Sequence, residues 1–337
     1  MRIIDVSDAP IRTVAVSRDG RFVAAYDGNS TFRVFHWGTG EAVIRAHERT
    51  MTCDQIAFGP NSAWVARAGG GLLRVDPLEG QGPSIDPTGA FAGGVVVTPN
   101  GKALLATQTI PAGKARLDRW ELPGFRPVLG FDIGSPFRRL AISPNGEYIA
   151  GIWERGFELR YAGTGGLDHL FRPFKPRPFS SIGFVSFTHD STTCAFGWAS
   201  EVHVLDLSTG TSKVLRVTTP ETRGNPSPYD TERRKDELTE YRTPYRAAAF
   251  TGSGRHFATV EQPDRWARWI TDERVWRTTS ATDPTCFLRF RDVKTWEVVR
   301  EYDWNCGPLT CLAFTADGTA GVCGTTDGRL VQFDVDE

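Results

Sequence analysis

Short apolar runs on either side of a polar four-residue turn recur along the whole chain. In the first copy, the apolar runs 14–16 and 22–25 flank the turn 17–20. The seven turns are Ser17-Arg18-Asp19-Gly20, Gly59-Pro60-Asn61-Ser62, Thr98-Pro99-Asn100-Gly101, Ser143-Pro144-Asn145-Gly146, Thr188-His189-Asp190-Ser191, Thr251-Gly252-Ser253-Gly254 and Thr315-Ala316-Asp317-Gly318. Gly, Asn and Asp suit such turns, and runs rich in Val, Ile and Phe are typical of strands. The pattern predicts seven strand–turn–strand units.

The spacing of the turns indicates the kind of repeat. Their third residues lie at positions 19, 61, 100, 145, 190, 253 and 317, so successive spacings are 42, 39, 45, 45, 63 and 64 residues. The first four spacings bracket the length of a four-stranded propeller blade, about 40–45 residues. The last two each contain an insertion. A helical solenoid is excluded, since its repeats would show a period of about 3.6 residues.

Each unit continues into a third strand that ends in a residue pair before another turn. The pairs are Phe35-His36, Val75-Asp76, Trp120-Glu121, Arg160-Tyr161, Leu205-Asp206, Arg291-Asp292 and Phe333-Asp334. The last unit reads Asp327-Gly328-Arg329-Leu330-Val331-Gln332-Phe333-Asp334, which resembles the Asp-Gly-Thr-Val-Arg-Leu-Trp-Asp signature of the WD-repeat family. Ala46-His47 stands where that family often has Gly-His. The chain therefore resembles WD-repeat proteins over essentially its whole length.

The resemblance implies an all-β fold, a single seven-bladed β-propeller over residues 1–337 with four-stranded antiparallel blades. The copies are degenerate, since none has a literal Trp-Asp pair, so the family's buried Asp-His-Ser/Thr-Trp network is expected to be incomplete. The last unit offers only the strands 309–314, 319–324 and 330–335. We expect segment 2–6 to close this blade by pairing with 330–335, because an open ring would leave a sheet edge exposed. The alternative is a frayed N-terminus.

The two insertions span about 220–243 and 263–285. The first lies between the outer strand of blade five and the inner strand of blade six, and the second between the second and third strands of blade six. Because strands alternate in direction within a blade, both connections leave the same face of the ring. We expect the insertions to pack together and to elaborate that face.

Tyr, Trp and Arg, the residues that dominate binding hot spots, are concentrated in these insertions. Trp266, Trp269 and Ile270 have helical spacing, which predicts a short helix that Asp264 could cap. Two interpretations stay open: the aromatic residues cover the propeller structurally, or some of them face a partner. The candidate partner-binding residues are Tyr229, Arg233, Arg234, Tyr241, Arg242, Trp266, Arg268, Trp269 and Trp276.

A segment rich in proline, phenylalanine and basic residues, 171–179, leads from blade four to blade five on the same face. Alternating proline favours an extended backbone. The aromatic and basic side chains could contact an acidic peptide or nucleic acid. A stiff connection whose phenylalanines fill the blade seam is the favoured interpretation.

Composition narrows the class of partner. The net charge of −1 makes nucleic acid an unlikely ligand, since phosphate neutralisation requires excess basic residues. No run approaches the roughly 18 apolar residues of a membrane helix, and no secretory signal is recognised. The six cysteines form no Cys-x-x-Cys pair. We interpret them as thiols in a reducing cytoplasm, although Cys306 and Cys311 are close enough to pair in an oxidising compartment.

Catalytic and cofactor motifs are not recognised. No histidine has another within two to four positions, as a compact metal site would favour, and no Gly-x-Ser-x-Gly motif is present. We therefore expect no cofactor and a non-catalytic scaffold that binds a protein or peptide on the face carrying the insertions. The alternative is a propeller enzyme, a hydrolase or lactonase, with its site at the channel mouth, because a fold does not dictate a function.

Overall fold

The computed structural model describes the chain as strands joined by turns. The described residues are 1–47, 52–78, 90–110, 114–153, 156–171, 183–198, 201–216, 240–242, 245–262, 266–270, 275–279 and 286–335. No helix in this part of the chain has both the length and the apolar character needed to cross a membrane.

The described residues form thirty strands. The first ten are β1 (Arg2–Asp5), β2 (Ile11–Val16), β3 (Phe22–Asp27), β4 (Thr31–His36), β5 (Ala42–His47), β6 (Gln55–Phe58), β7 (Trp64–Gly69), β8 (Leu72–Pro77), β9 (Ala90–Val97) and β10 (Ala103–Ile110), with a 3-10 turn at Pro60–Ser62. The next ten are β11 (Lys114–Glu121), β12 (Arg126–Ile133), β13 (Arg139–Ile142), β14 (Tyr148–Trp153), β15 (Gly156–Tyr161), β16 (Leu167–Phe171), β17 (Phe184–Phe187), β18 (Thr193–Trp198), β19 (Glu201–Asp206) and β20 (Ser212–Arg216). The last ten are β21 (Glu240–Arg242), β22 (Tyr245–Phe250), β23 (His256–Glu261), β24 (Trp266–Ile270), β25 (Val275–Thr279), β26 (Phe287–Asp292), β27 (Val298–Tyr302), β28 (Leu309–Phe314), β29 (Ala320–Thr325) and β30 (Arg329–Asp334).

Seven antiparallel sheets form the blades of a β-propeller, as predicted. In chain order, the blades are β2–β5, β6–β8, β9–β12, β13–β16, β17–β20, β22-β23-β26-β27 and β28-β29-β30-β1. Blade two has three strands within the described residues, which omit 79–89. Each inner strand contacts the inner strand of the next blade, and β28 contacts β2. The inner strands therefore form a closed ring around a central channel.

The N-terminal strand closes the ring, which confirms the expectation for segment 2–6. Ile3 pairs with Val331 and Ile4 with Leu330 in the antiparallel register of β1 and β30. The carbonyl of Gly328 then accepts hydrogen bonds from the N–H groups of Val6 and Ser7, both at 3.0 Å. Gly328 has φ +85°, and a Cβ there would lie 1.7 Å from the Ser7 carbonyl oxygen. Only glycine fits this junction without displacing the chain.

The apolar core is divided among the seven seams between blades. Seven clusters of buried side chains each join residues of two neighbouring blades. At the closing seam, Val6, Ile11 and Val23 pack against Val322 and Leu330. Burial of such apolar surface drives folding, so each blade is stabilised by both of its neighbours.

The recurrent turn is a hydrogen-bonded unit in six of the seven blades. Its first residue is a Ser or Thr whose hydroxyl accepts the backbone N–H five positions later, at 2.9–3.3 Å. In five blades the same hydroxyl donates to the Asp or Asn two positions later, at 2.6–2.8 Å. Blade two has Gly59 instead and makes the 3-10 turn. The polar turn pattern in the sequence thus corresponds to one repeated set of contacts.

Candidate functional site

Three strand ends of blade six lie side by side where the two insertions leave the ring. Tyr245, which begins β22, pairs with Glu261, and Glu261 pairs with Phe287, which begins β26. The first insertion ends just before Tyr245. The second insertion begins after Glu261 and ends before Phe287. Both insertions therefore leave the same end of this blade, as the strand alternation predicts.

A cluster of ion pairs holds this end of the blade together. The Glu261 side chain is fully buried and accepts from Arg289 Nη1 at 2.6 Å and from Arg291 Nη2 at 3.0 Å. The hydroxyl of Thr259 donates to Glu261 Oε1 at 2.6 Å, and Arg289 Nε donates to Glu301 at 2.6 Å. A buried carboxylate is tolerated only with such compensation. The contacts connect β23, β26 and β27 within blade six.

The two insertions meet in a three-stranded antiparallel sheet of order β21-β24-β25. Glu240 of the first insertion pairs with Arg268 of the second, and Arg242 pairs with Trp266. Trp269 pairs with Trp276 in the β24–β25 hairpin. The expected association of the insertions is therefore confirmed within the described residues.

The predicted helix around Trp266 and Trp269 is wrong, because β24 occupies residues Trp266–Ile270. Residues three apart share a face in a helix, whereas a strand has a period of two, so the argument for one aromatic helical face no longer holds. Trp, Ile, Val and Thr favour strands, and cross-strand pairing on both sides of β24 outweighs the local helical spacing. Asp264, the proposed cap, lies outside the described residues.

The structure brings six of the nine candidate partner-binding residues into this sheet. Tyr241 and Arg242 lie in β21, Trp266, Arg268 and Trp269 in β24, and Trp276 in β25. Tyr229, Arg233 and Arg234 lie outside the described residues, as does the segment 172–182 that contains most of the proline-rich run.

The mouth of the central channel at this end of the ring is shaped by three β-bulges that the sequence pattern did not reveal. Arg12 is the extra residue between Ile11 and Thr13 in the pairing of β2 with β3. Arg246 holds the same place in β22, and Thr310 in β28. A bulge leaves one residue out of the ladder and changes the direction of its side chain. The bulges occur in blades six, seven and one, which are consecutive in the ring.

A cavity of about 480 Å³ occupies this mouth, and Arg12, Arg139 and Arg246 all line it. Arg139 begins β13 in blade four, on the other side of the channel, and its Nη1 donates to Thr13 Oγ1 of blade one at 3.2 Å. None of the described residues lining the cavity carries a carboxylate. Three arginines from blades one, four and six therefore line one cavity.

The amide of Gln55 fixes the wall of the same cavity. Its Nε2 donates to the Leu140 carbonyl at 2.7 Å, and its Oε1 accepts the N–H of Leu140 at 2.8 Å and that of Val95 at 3.3 Å. One side chain thus joins the inner strands of blades two, three and four. The wall that carries Arg139 is held by these bonds.

Burial lowers the pKa of two arginines of this cavity, Arg139 and Arg246. It lowers the pKa of Arg139, while the nearby carboxylate of Asp54 opposes that effect. It also lowers the pKa of Arg246, where the opposing groups are the thiols of Cys286 and Cys311. Arg12 is exposed. Among the described residues, no carboxylate balances the partly desolvated charge of Arg246.

The six cysteines are all buried free thiols, including Cys306 and Cys311. Burial raises the pKa of Cys53 and of Cys286 to about 12 each. Within the described part of the chain, no group of three or more His, Cys, Asp or Glu side chains is placed to hold a metal ion.

Comparison with known proteins adds no assignment. No family model matches the sequence, and the search of curated proteins found no match. The β-propeller fold is therefore established by the sheets and their closed ring.

Proposed function

We propose that this chain is a non-catalytic, cytoplasmic interaction scaffold of the WD-repeat kind that binds a protein or peptide on the face carrying the two insertions. The observation behind the proposal is that two insertions, from separate connections, combine in one sheet beside the channel mouth. A scaffold uses such additions to the constant framework of a propeller to recognise its own partner.

Chain connectivity keeps the sheet close to the cavity. Residues 243–244 alone separate Arg242, which ends β21, from Tyr245, which begins β22. Arg246 of the cavity follows immediately. Four extended residues span about 14 Å at most, so the end of β21 lies within that distance of the Arg246 backbone. A partner of ordinary interface size could contact the sheet and the cavity together.

The composition of the sheet also suits binding. Its described strands contain three tryptophans, one tyrosine and several arginines, the residues enriched at interface hot spots. In the described residues, β21 and β25 are the outer strands of the sheet, each paired on one side. A partner segment could add to such an edge through main-chain hydrogen bonds.

The test removes the β24–β25 hairpin and leaves the seven blades intact. Because Glu261 and Phe287 are cross-strand partners, a short Gly-rich turn can replace residues 263–285. The variant is expected to retain its thermal transition and to lose the proteins that co-purify with the intact chain from the source cells, measured by quantitative mass spectrometry.

The matched control changes the opposite face. Ser208 and Thr209, in the turn between β19 and β20, are replaced by alanine, and the co-purifying proteins are expected to remain. Recovery of the same proteins by a folded hairpin-deletion variant would refute this binding face. An alanine set at Trp266, Trp269 and Trp276 then tests whether the tryptophans themselves contribute.

A further inference from the structure

Four buried or half-buried arginines elsewhere in the described chain are paired with carboxylates. Arg67 is 1% exposed and lies 3.1 Å from Asp76. Arg160 lies 2.7 Å from the buried Glu158, and Arg289 and Arg291 share Glu261. Pairing is the normal way to compensate a desolvated charge.

The arginines of the channel mouth differ from this pattern. Arg246 forms no ion pair in the described residues, and its Nε is shielded from solvent and has no hydrogen-bond acceptor there. Arg139 is bonded to a neutral hydroxyl, that of Thr13. Arg12 also lines the cavity, is exposed, and forms no ion pair in the described residues. Among the described residues, the cavity therefore gathers three arginines, of which Arg139 has the carboxylate of Asp54 nearby while Arg12 and Arg246 form no ion pair.

The bulges explain how the charge is placed there. In a regular ladder, the side chains at positions 12 and 246 would alternate between the two faces of the sheet with their neighbours in β2 and β22. Instead, each of these residues is the extra, unpaired residue of a bulge. The bulges recur at the same point of blades six, seven and one, and their three residues all line the cavity. Bulges are frequent beside functional sites, where they redirect a side chain.

We infer that the cavity at the channel mouth is a binding site for an oxyanion, a carboxylate or phosphate group, held by Arg246 and Arg12, with Arg139 contributing from blade four. A guanidinium presents donors in a planar fork that matches both kinds of group. The cavity volume of about 480 Å³ lies within the range of small-ligand sites. The group could belong to a free anion or to an acidic side chain of a peptide, and the two sources are separable by experiment.

The experiment measures binding of two probes to the purified full chain by isothermal titration calorimetry. The probes are inorganic phosphate and a capped hexaglutamate peptide, with a capped hexaglutamine peptide as the neutral control. We expect at least one anionic probe to bind saturably and the neutral peptide not to bind. Binding is expected to weaken with added salt, because exposed charge interactions are screened.

Arg246→Gln is expected to reduce the affinity at least tenfold, as for loss of a charged hydrogen bond. Arg12→Gln serves as a second variant, because an exposed side chain can be replaced without disturbing the core. Arg45→Gln, an exposed change on the outer strand β5 of the same blade as Arg12, is the matched control and is expected to bind like the unchanged chain.

The outcomes distinguish a free anion from an acidic peptide as the ligand, and both from the absence of an anion site. Binding of phosphate without a gain for the peptide assigns a free anion, and preferential binding of hexaglutamate assigns acidic peptide side chains. Absence of binding by both probes, or equal binding by the unchanged chain and the folded Arg246→Gln and Arg12→Gln variants, overturns the inference. The site does not require the insertion sheet, so removal of 263–285 tests the proposed scaffold separately.

Discussion

The hydroxyl that begins the last repeat turn should stabilise the ring measurably. Thr315 Oγ1 accepts the N–H of Ala320 at 3.1 Å and donates to Asp317 Oδ1 at 2.6 Å. Thr315 is 6% exposed and Ala320 is 9% exposed. Thr315→Val retains much of the side-chain shape and removes both bonds, so the Ala320 N–H becomes a buried donor without its acceptor.

The size of the effect follows from these two contacts. An unsatisfied buried donor costs about 1–3 kcal/mol, and loss of the hydroxyl–carboxylate bond about another 1 kcal/mol, because the carboxylate is exposed. We therefore expect Thr315→Val to lower the free energy of unfolding by about 2–4 kcal/mol. Urea unfolding followed by tryptophan fluorescence measures this value by linear extrapolation, provided that the m-value is unchanged.

Thr319→Val is the matched control, because Thr319 is exposed and its hydroxyl donates to the same Asp317 oxygen at 3.0 Å. It should change the free energy of unfolding by less than about 0.5 kcal/mol. A loss of less than about 0.5 kcal/mol for Thr315→Val, or equal losses for the two variants, would refute the assignment of stability to the buried end of the turn.

Three further predictions concern pH, thiol reactivity and ring closure. The Thr315 hydroxyl and the Thr319 N–H hold the pKa of Asp317 below its ordinary value of 3.8. The stabilising contribution of the Asp317 carboxylate is therefore present above that pH and is lost as the pH falls through the pKa of the folded state. Asp317→Asn should reduce the acid dependence of urea unfolding below about pH 4. Burial raises the pKa of Cys53 and Cys286 to about 12 and encloses all six thiols, so Ellman's reagent at pH 8 should detect none in the native protein and six in denaturant. Gly328→Ala should expose the backbone N–H groups of 2–7 to hydrogen exchange, since the new Cβ would lie 1.7 Å from the Ser7 carbonyl oxygen; unchanged protection of that segment would contradict the close approach.

The sequence alone predicted the number of blades and the way the ring closes. Both depend on local signals, since each turn, such as that at Ser17, is formed by residues within six positions of one another. The face from which the insertions leave was also predictable, because strand direction alternates along the chain. The pairing of segment 2–6 with the last strand was predicted from the incomplete last blade, whereas its register, Ile4 against Leu330, is known only from the structure.

The conformation of the second insertion was decided only by tertiary pairing. Trp266 and Trp269 have a spacing that suits a helix, but β21, from more than twenty residues earlier in the chain, pairs with these residues and makes them a strand. The spacing of nearby residues carries no information about a distant strand that supplies hydrogen bonds and cross-strand contacts.

The charged channel mouth depended entirely on the folded ring. Arg12, Arg139 and Arg246 are separated by more than a hundred residues from one to the next, and no spacing in the sequence connects them. Closure of seven blades places their strands around one channel, and bulges visible only in the paired ladders add Arg12 and Arg246 to its lining. The repeated turns are formed by residues close together in the sequence, so the sequence predicts them. The cavity on the ring axis is lined by residues from several blades, so it forms only when the ring closes.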